Sequence, residues 1–448
     1  MLRPAAEPRP SPSRAGDPAG SVVLLVGLVL VLPLAVGGLL WVAPGTGDRV
    51  DPNRWVAVTP VDALSLLVLV VWIRDHGRAL LRASARRLDP VCGCALGLGA
   101  LLLLSLAVHP SPRGFELVVR VAAAAALADT VRRLEDPRSR RTLLAALVVS
   151  GALQAVLGMA QSLHGRPFGL PGLELDGRLY HFGSSYAGRG SFDHPYHLAC
   201  WLTLASGAAA LGLRRDARPG PWALGLAVCA CGLATTYSRA ALVGMAAAAA
   251  AAALVAVVRR DRRAAAIVGT IVVGFAIGMT AFGSGWMARA DTSTSASAVD
   301  SGRRDRAAEA VRLIRTEPLV GVGPGRYVLA LDHVQHDLSL PAHDLTLQVA
   351  AEEGIAAGVL VTIALGLLTL RCCRRGLDAL LVLLPTVPFL LLDVYPYAFP
   401  LGIAGSGIWL GLLGAGWTDG HATGPAGATA DAADDRDHRA ADALAVPA

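Results

Sequence analysis

Twelve apolar runs of about 17–25 residues each set what this chain can fold into, because that is the length of helix that crosses a bilayer. They fall at about 21–43, 55–73, 91–108, 114–131, 142–163, 193–213, 221–236, 240–258, 264–282, 345–370, 377–394 and 401–417. Backbone N–H and C=O groups have no water to bond within the hydrocarbon, so each run must satisfy its own as a helix. The expected fold is all-α, a polytopic membrane bundle of about twelve transmembrane helices. The first run is longer than the apolar core of a signal peptide and lacks a small-residue cleavage site, so it reads as a spanning helix.

Charge supplies the orientation. The chain is 54% hydrophobic and only 17% charged, and its basic residues are all Arg. Arg residues cluster at 74–90 (five), 132–141 (five), 214–218 (three), 259–263 (four) and 371–375 (three). The short loops between these carry few: two at 44–54, one at 109–113 and none at 395–400. Arg-rich loops stay on the cytoplasmic side, so both termini are expected inside the cell. The net charge of +6 sits in these loops and points to no nucleic-acid partner. Residues 1–20 and 418–448 are expected to be disordered cytoplasmic tails around a transmembrane domain at 21–417. The seven cysteines make no metal framework and read as reduced, structural groups.

Two longer loops, 164–192 and 283–344, are expected to face outward. Within the second, residues 301–316 place Ala307, Val311 and Ile314 at helical spacing among Arg and Glu. That pattern predicts an amphipathic helix at the membrane surface or over a site, capped by Asp300 or Ser301. A glycine-punctuated turn follows (Gly321, Gly323, Pro324, Gly325), then a polar segment to His343 and Asp344. A helix opening at His343 would carry Asp344, Gln348 and Glu352 on one face. Charged groups in a membrane segment are expensive, so this stripe is a place to look for function. Glu352 and Glu353 fall about 13 Å below His343 at the rise of a helix, too deep to act as its base, and fit bracing partners better.

Outward-facing basic residues are what the orientation rule leaves unexplained. Arg189 precedes the segment Gly190–Ala199, and Arg239 sits in a very short link between two spans. Arg303, Arg304 and Arg306 open the amphipathic segment, and Arg326 follows the glycine turn. A guanidinium is a planar, permanently charged fork that matches a phosphate. For Arg303, Arg304 and Arg326, snorkelling to lipid headgroups is an equal reading. Arg120 has Glu116 one turn before it, which predicts an intrahelical pair. His194 and His197 are three apart with no third ligand of suitable spacing, so no metal and no other cofactor is expected. His164, His181, His333 and His336 read as solvated loop residues.

The segments GRGSFDHPYHLA, TYSRAALVG, SGRRDRAAEAVRLIRTEPLVGVGPG and AHDLTLQVAAEEGIAAG, set among many spans, resemble the O-antigen ligase and polymerase superfamily. The similarity runs from about Arg189 to Gly358. The resemblance implies a glycosyltransferase at the outer face of the bacterial inner membrane, in cell-surface polysaccharide assembly. Glycan would pass from a polyprenyl (undecaprenyl) diphosphate carrier to a glycan, lipid or protein acceptor, without metal or nucleotide sugar. It assigns His343 the catalytic role and Arg239 and Arg189 the diphosphate; Arg303, Arg326 and Asp344 are candidates for further contacts with substrate, and Glu352 and Gly354 for structural support. The family usually has Asn after the loop His, where this chain has Asp344, and the last Gly of its signature is displaced to Gly358. Tyr196 also stands where members often have Asn. Ligase, polymerase and protein oligosaccharyltransferase share these motifs, and ligase is the first expectation. A polysaccharide transporter or flippase is the alternative from another class; it would hold polar groups nearer the bilayer midplane.

Overall fold

The computed structural model describes residues 18–34, 38–42, 55–82, 90–170, 180–292, 296–331, 341–392 and 400–415. Apart from residues 18–20, both expected tails lie outside them, as do His333 and His336. The first helix, α1 (Pro18–Val31), is shorter than the 21–43 run. Pro33 accounts for the stop, since it lacks an N–H and pushes the residue before it out of the helical region. The run ends instead in β1 (Gly38–Val42), which pairs antiparallel with β2 (Trp55–Val58) around an irregularity between Leu39 and Trp41. The expected spans at 21–43 and 55–73 are corrected accordingly.

Four helices follow: α2 (Pro60–Arg82), α3 (Pro90–Val108), α4 (Pro112–Arg132) and α5 (Pro137–His164). A small antiparallel pair, β3 (His181–Phe182) and β4 (Ser185–Tyr186), lies in the first long loop. Beyond it run α6 (Pro195–Arg215), α7 (Pro219–Thr235), α8 (Arg239–Arg259) and α9 (Arg262–Thr292). A proline opens most of these helices, where its fixed φ suits the first turn and its missing N–H costs nothing. Side chains complete several starts: Ser111 accepts from Gly114 N–H, Asp136 from Arg138 and Ser139 N–H, and Ser238 from Ala241 N–H.

The second long loop holds α10 (Ala296–Thr316) and the short α11 (Tyr327–Leu331). Asp300 and Ser301 fall inside α10, so neither caps it. Its packed face is Ala310 and Leu313 with Ile314, seated on Tyr327, Val328, Leu331, Ala342 and Ala351. The helix therefore lies on the site segment, through a face one residue round from the one expected. The 345–370 run is two helices, α12 (Leu345–Glu353) and α13 (Ile355–Arg375). The 377–394 run likewise divides into α14 (Leu377–Leu383) and α15 (Val387–Leu392), before α16 (Pro400–Gly414).

Six helices are long and apolar enough to cross a membrane: α3, α5, α6, α8, α9 and α13. Apolar but shorter are α1, α7 and α16. The protein is thus a predominantly helical, multi-pass membrane protein, with fewer full-length spans among the described residues than the twelve expected. Leu153, Val257, Val258 and Val272 stay exposed on α5, α8 and α9, as side chains facing lipid do.

Helix α6 is the core, buried along almost its whole length against α5, α7 and α14. Small residues allow that approach. A Cβ at Gly151 of α5 would come within 2.3 Å of Ala205, and one at Gly212 of α6 within 2.3 Å of Trp222 of α7. At one end of the bundle, Arg214 bridges Asp378 (2.5 Å) and Asp261 (2.7 Å), joining α6 to the starts of α14 and α9. Arg120 pairs with Glu116 (2.6 Å) as expected, and also reaches Asp62 of α2 at 2.7 Å.

Candidate functional site

The end of the bundle away from the Arg214 bridge gathers four segments. The first, residues 180–194, is drawn into the bundle by two glutamines of α5. Gln161 Oε1 accepts from the N–H groups of Arg189 (3.1 Å) and Gly190 (2.9 Å), and its Nε2 donates to Gly190 O. Gln154 Oε1 accepts from Ser191 N–H at 2.9 Å. Gly188 N–H then donates to Thr235 O, which ties this loop to the α7–α8 link. Sequence reasoning passed over Gln154 and Gln161, although two amides seven apart in an apolar run are a visible signal. One consequence is that Arg189 is only 1% exposed, closed among these elements.

His194 caps α6, its Nδ1 accepting from Tyr196 N–H, and stacks edge-on with Tyr180. His197 is buried and hydrogen-bonded to Asp193. Partial desolvation pushes the half-exposed Asp193 carboxyl upward, yet the His197 and His194 imidazoles outweigh it and hold the group below the usual carboxylate range.

The second segment is the α7–α8 link. Tyr237 sits at φ 51°, a left-handed conformation that is strained for a bulky residue, and is buried beneath Phe182 and Trp286. The sharp turn it makes sets Arg239 at the first position of α8 with its side chain exposed. From α9, Arg289 lies over the Phe182 ring at 4.5 Å and within electrostatic reach of both Arg239 and Arg303. Three guanidiniums from α8, α9 and α10 therefore share one neighbourhood. Arg289 escaped the sequence reading because it lies near the end of a long helix, beyond the run at 264–282.

The third and fourth segments cross each other. The chain from Pro318 to Gly323 runs against the break between α12 and α13. Val322 N–H donates to Ala351 O, Gly323 N–H to Glu352 O, and Ile355 N–H to Pro318 O. The first two satisfy carbonyls that the end of α12 leaves open, and the third an N–H at the start of α13. Gly354 sits at φ 92° and ψ 165°, a region open essentially to glycine, and a Cβ there would stand 2.2 Å from Leu319 O. The Ser105 hydroxyl of α3 reaches Val320 O (2.7 Å) and Glu352 O (2.9 Å), fixing the crossing from beneath.

Glu352 is 2% exposed, and its carboxylate accepts from Gly325 N–H (2.8 Å), Tyr327 N–H (3.2 Å) and Gln348 Nε2 (2.8 Å). Gln348 Oε1 in turn accepts from Ala342 N–H at 3.0 Å. Arg326, flanked by two of these bonded peptides, is half-buried, whereas Arg303 is exposed. His343 precedes the helix that had been expected to open on it: Asp344 is the N-cap, its Oδ1 accepting from Leu347 N–H at 2.9 Å. His343 itself stands at φ 53° and partly buried. Left-handed conformations at non-glycine residues cluster where function over-determines the backbone.

The family model described as O-antigen ligase matches residues 224–362, from α7 into α13, and so takes in Arg239, Arg289, the glycine turn and His343. Over this stretch the chain is similar to the O-antigen ligase family. Arg189 and the loop around it lie outside the stretch matched to the ligase family. No curated protein and no solved structure matches the chain.

Proposed function

We propose that this protein is a ligase-type glycosyltransferase that moves glycan from a polyprenyl diphosphate carrier to an acceptor hydroxyl at the outer face of the inner membrane. The observation that carries this reading is the conformation of His343. A left-handed histidine lies in the segment matched by the ligase model, between a helix cap and a peptide joined through Gln348 and Glu352 to the glycine turn. An imidazole titrates near neutrality and suits removal of the acceptor proton. The acceptor oxygen then bonds to the anomeric carbon, and the bond from that carbon to the diphosphate breaks, the leaving oxygen keeping the electron pair.

Charge grows on the diphosphate in that step. Arg239, with Arg289 and Arg303 beside it, supplies the fixed positive field that stabilises it. Arg189, buried as it is, reaches the same anion only if the 180–194 loop opens. Asp344 spends its side chain on the helix cap, while Arg326 is carried by the glycine turn towards the sugar. The alternation of Arg-rich loops supports both termini being cytoplasmic. The twelve-span arrangement then needs α2, α4 and the shorter helices to complete the bundle.

The test is the glycan held on the carrier in cells lacking the protein, with wild-type or His343→Ala copies restored. Long polymer stranded on the carrier, cleared by wild type and not by His343→Ala, is the expected result for a ligase. Single repeats would make it a polymerase. An unchanged carrier-linked pool in every strain would refute glycan transfer from this carrier.

A further inference from the structure

Two hydrogen-bonded side chains connect the glycine turn to the residue before His343. Ala342 N–H donates to Gln348 Oε1, Gln348 Nε2 donates to Glu352 Oε1, and Glu352 takes the Gly325 and Tyr327 N–H groups on its two oxygens. Gln348 and Glu352 are 3% and 2% exposed, so water does not compete for these bonds. A carboxylate accepts only, which obliges Gln348 to point its NH₂ at Glu352 and its carbonyl oxygen at Ala342. The amide thus has one orientation, and it fixes the peptide that leads into a backbone at φ 53°. On the far side of His343, Asp344 is pinned by its bond to Leu347 N–H.

We infer that Gln348 is a positioning residue for His343, and that the Gln348–Glu352 pair sets the His343 peptide and the Gly325–Tyr327 turn as one unit. This rests on the transfer chemistry proposed above and adds to it a reason for the polar stripe in α12. A helix packed for stability alone is served as well by apolar side chains; an oriented amide is needed where one peptide must face one way. Since Arg326 lies between the two peptides that Glu352 holds, the base and a basic residue of the donor side move together. Displacing a reacting group by about 1 Å is enough to cost roughly a hundredfold in rate.

The experiment compares wild type, Gln348→Leu, Gln348→Glu and His343→Ala as full-length chains in membranes from cells lacking the protein, which supply donor and acceptor. Two quantities are read. One is the rate of carrier-linked glycan consumption, at saturating and at half-saturating donor. The other is the rate at which diethyl pyrocarbonate modifies His343, followed by mass spectrometry. In Gln348→Leu the saturated rate should fall about a hundredfold with the half-saturating donor level within about threefold, and His343 modification should change severalfold. Gln348→Glu keeps the acceptor for Ala342 N–H but sets a second carboxylate against Glu352. Its rate relative to wild type at the same pH should recover as pH falls and one proton bridges the pair. A wild-type rate in Gln348→Leu, or lost activity with unchanged His343 reactivity, would overturn the inference. Should His343→Ala itself remain active, the transfer reading fails, and the altered reactivity of His343 in Gln348→Leu still decides the positioning claim.

Discussion

Gly354 shows how much one atom can decide in this protein. Its backbone lies in a region closed to side chains, and the space where a Cβ would go is filled by Leu319 O. Gly354→Ala is expected to cost more than about 3 kcal/mol, since conformational strain adds to a backbone clash. The loss would appear as depleted protein in the membrane and a lower melting temperature in detergent. Gly321, at φ 65° with Glu352 backbone 2.3 Å from a would-be Cβ, should behave the same way. The glycines themselves were legible in the sequence, as was a turn. That this turn crosses a helix break was not, because an isolated Gly is tolerated inside a helical run and the Gln348 and Glu352 stripe keeps helical spacing right up to it. The same holds for Arg189. A guanidinium in a polar loop reads as exposed, and only the hydrogen bonds of Gln154 and Gln161 draw that loop inside.

At the scale of elements, α6 is held by close packing along its length and by charge at one end. Gly151→Leu drives a side chain into Ala205 and is expected to destabilise by about 1–3 kcal/mol or more, read as loss of folded protein on heating. Asp261 accepts from Arg263 and Ala264 N–H at the start of α9 and pairs with Arg214. Burial raises its pKa, and the backbone bonds and Arg214 outweigh that, so it ends below the ordinary value. A carboxylate with a depressed folded-state pKa contributes stability above its unfolded pKa of about 3.9, and loses it as pH falls through the folded value. Asp261→Ala should therefore lower stability by about 1–2 kcal/mol at pH 7. The difference should shrink as pH falls below about 3.9 and towards the folded-state pKa, as a series of thermal melts from pH 7 into acid would show.

For the whole molecule, the loop arrangement makes a prediction about sidedness. Leu319 is strongly exposed beside the glycine turn, and Cys373 is exposed between Arg371 and Arg374. In intact cells a membrane-impermeant maleimide should label Leu319→Cys, on a background free of other cysteines. A chain retaining Cys373 alone should react only after the membrane is opened. Labelling in the reverse order would invert the bundle and put His343 on the wrong side for the chemistry proposed. What the sequence determined alone is the medium and the menu. Run lengths demand helices in a bilayer, proline and Ser or Asp mark where many of them begin, and Arg239 and His343 stand out as polar groups near their ends. These signals are local, each readable within a turn or two of helix. Tertiary structure decided which of those groups meet. Arg289 joins Arg239 because α9 outruns its apolar stretch, Arg189 is enclosed because α5 offers its loop two amides, and Glu352 meets the Gly325–Tyr327 turn because the chain from Pro318 is bonded across the break between α12 and α13. Hydrogen bonds between residues far apart in the chain leave no periodicity behind, so the site's assembly is a property of the fold.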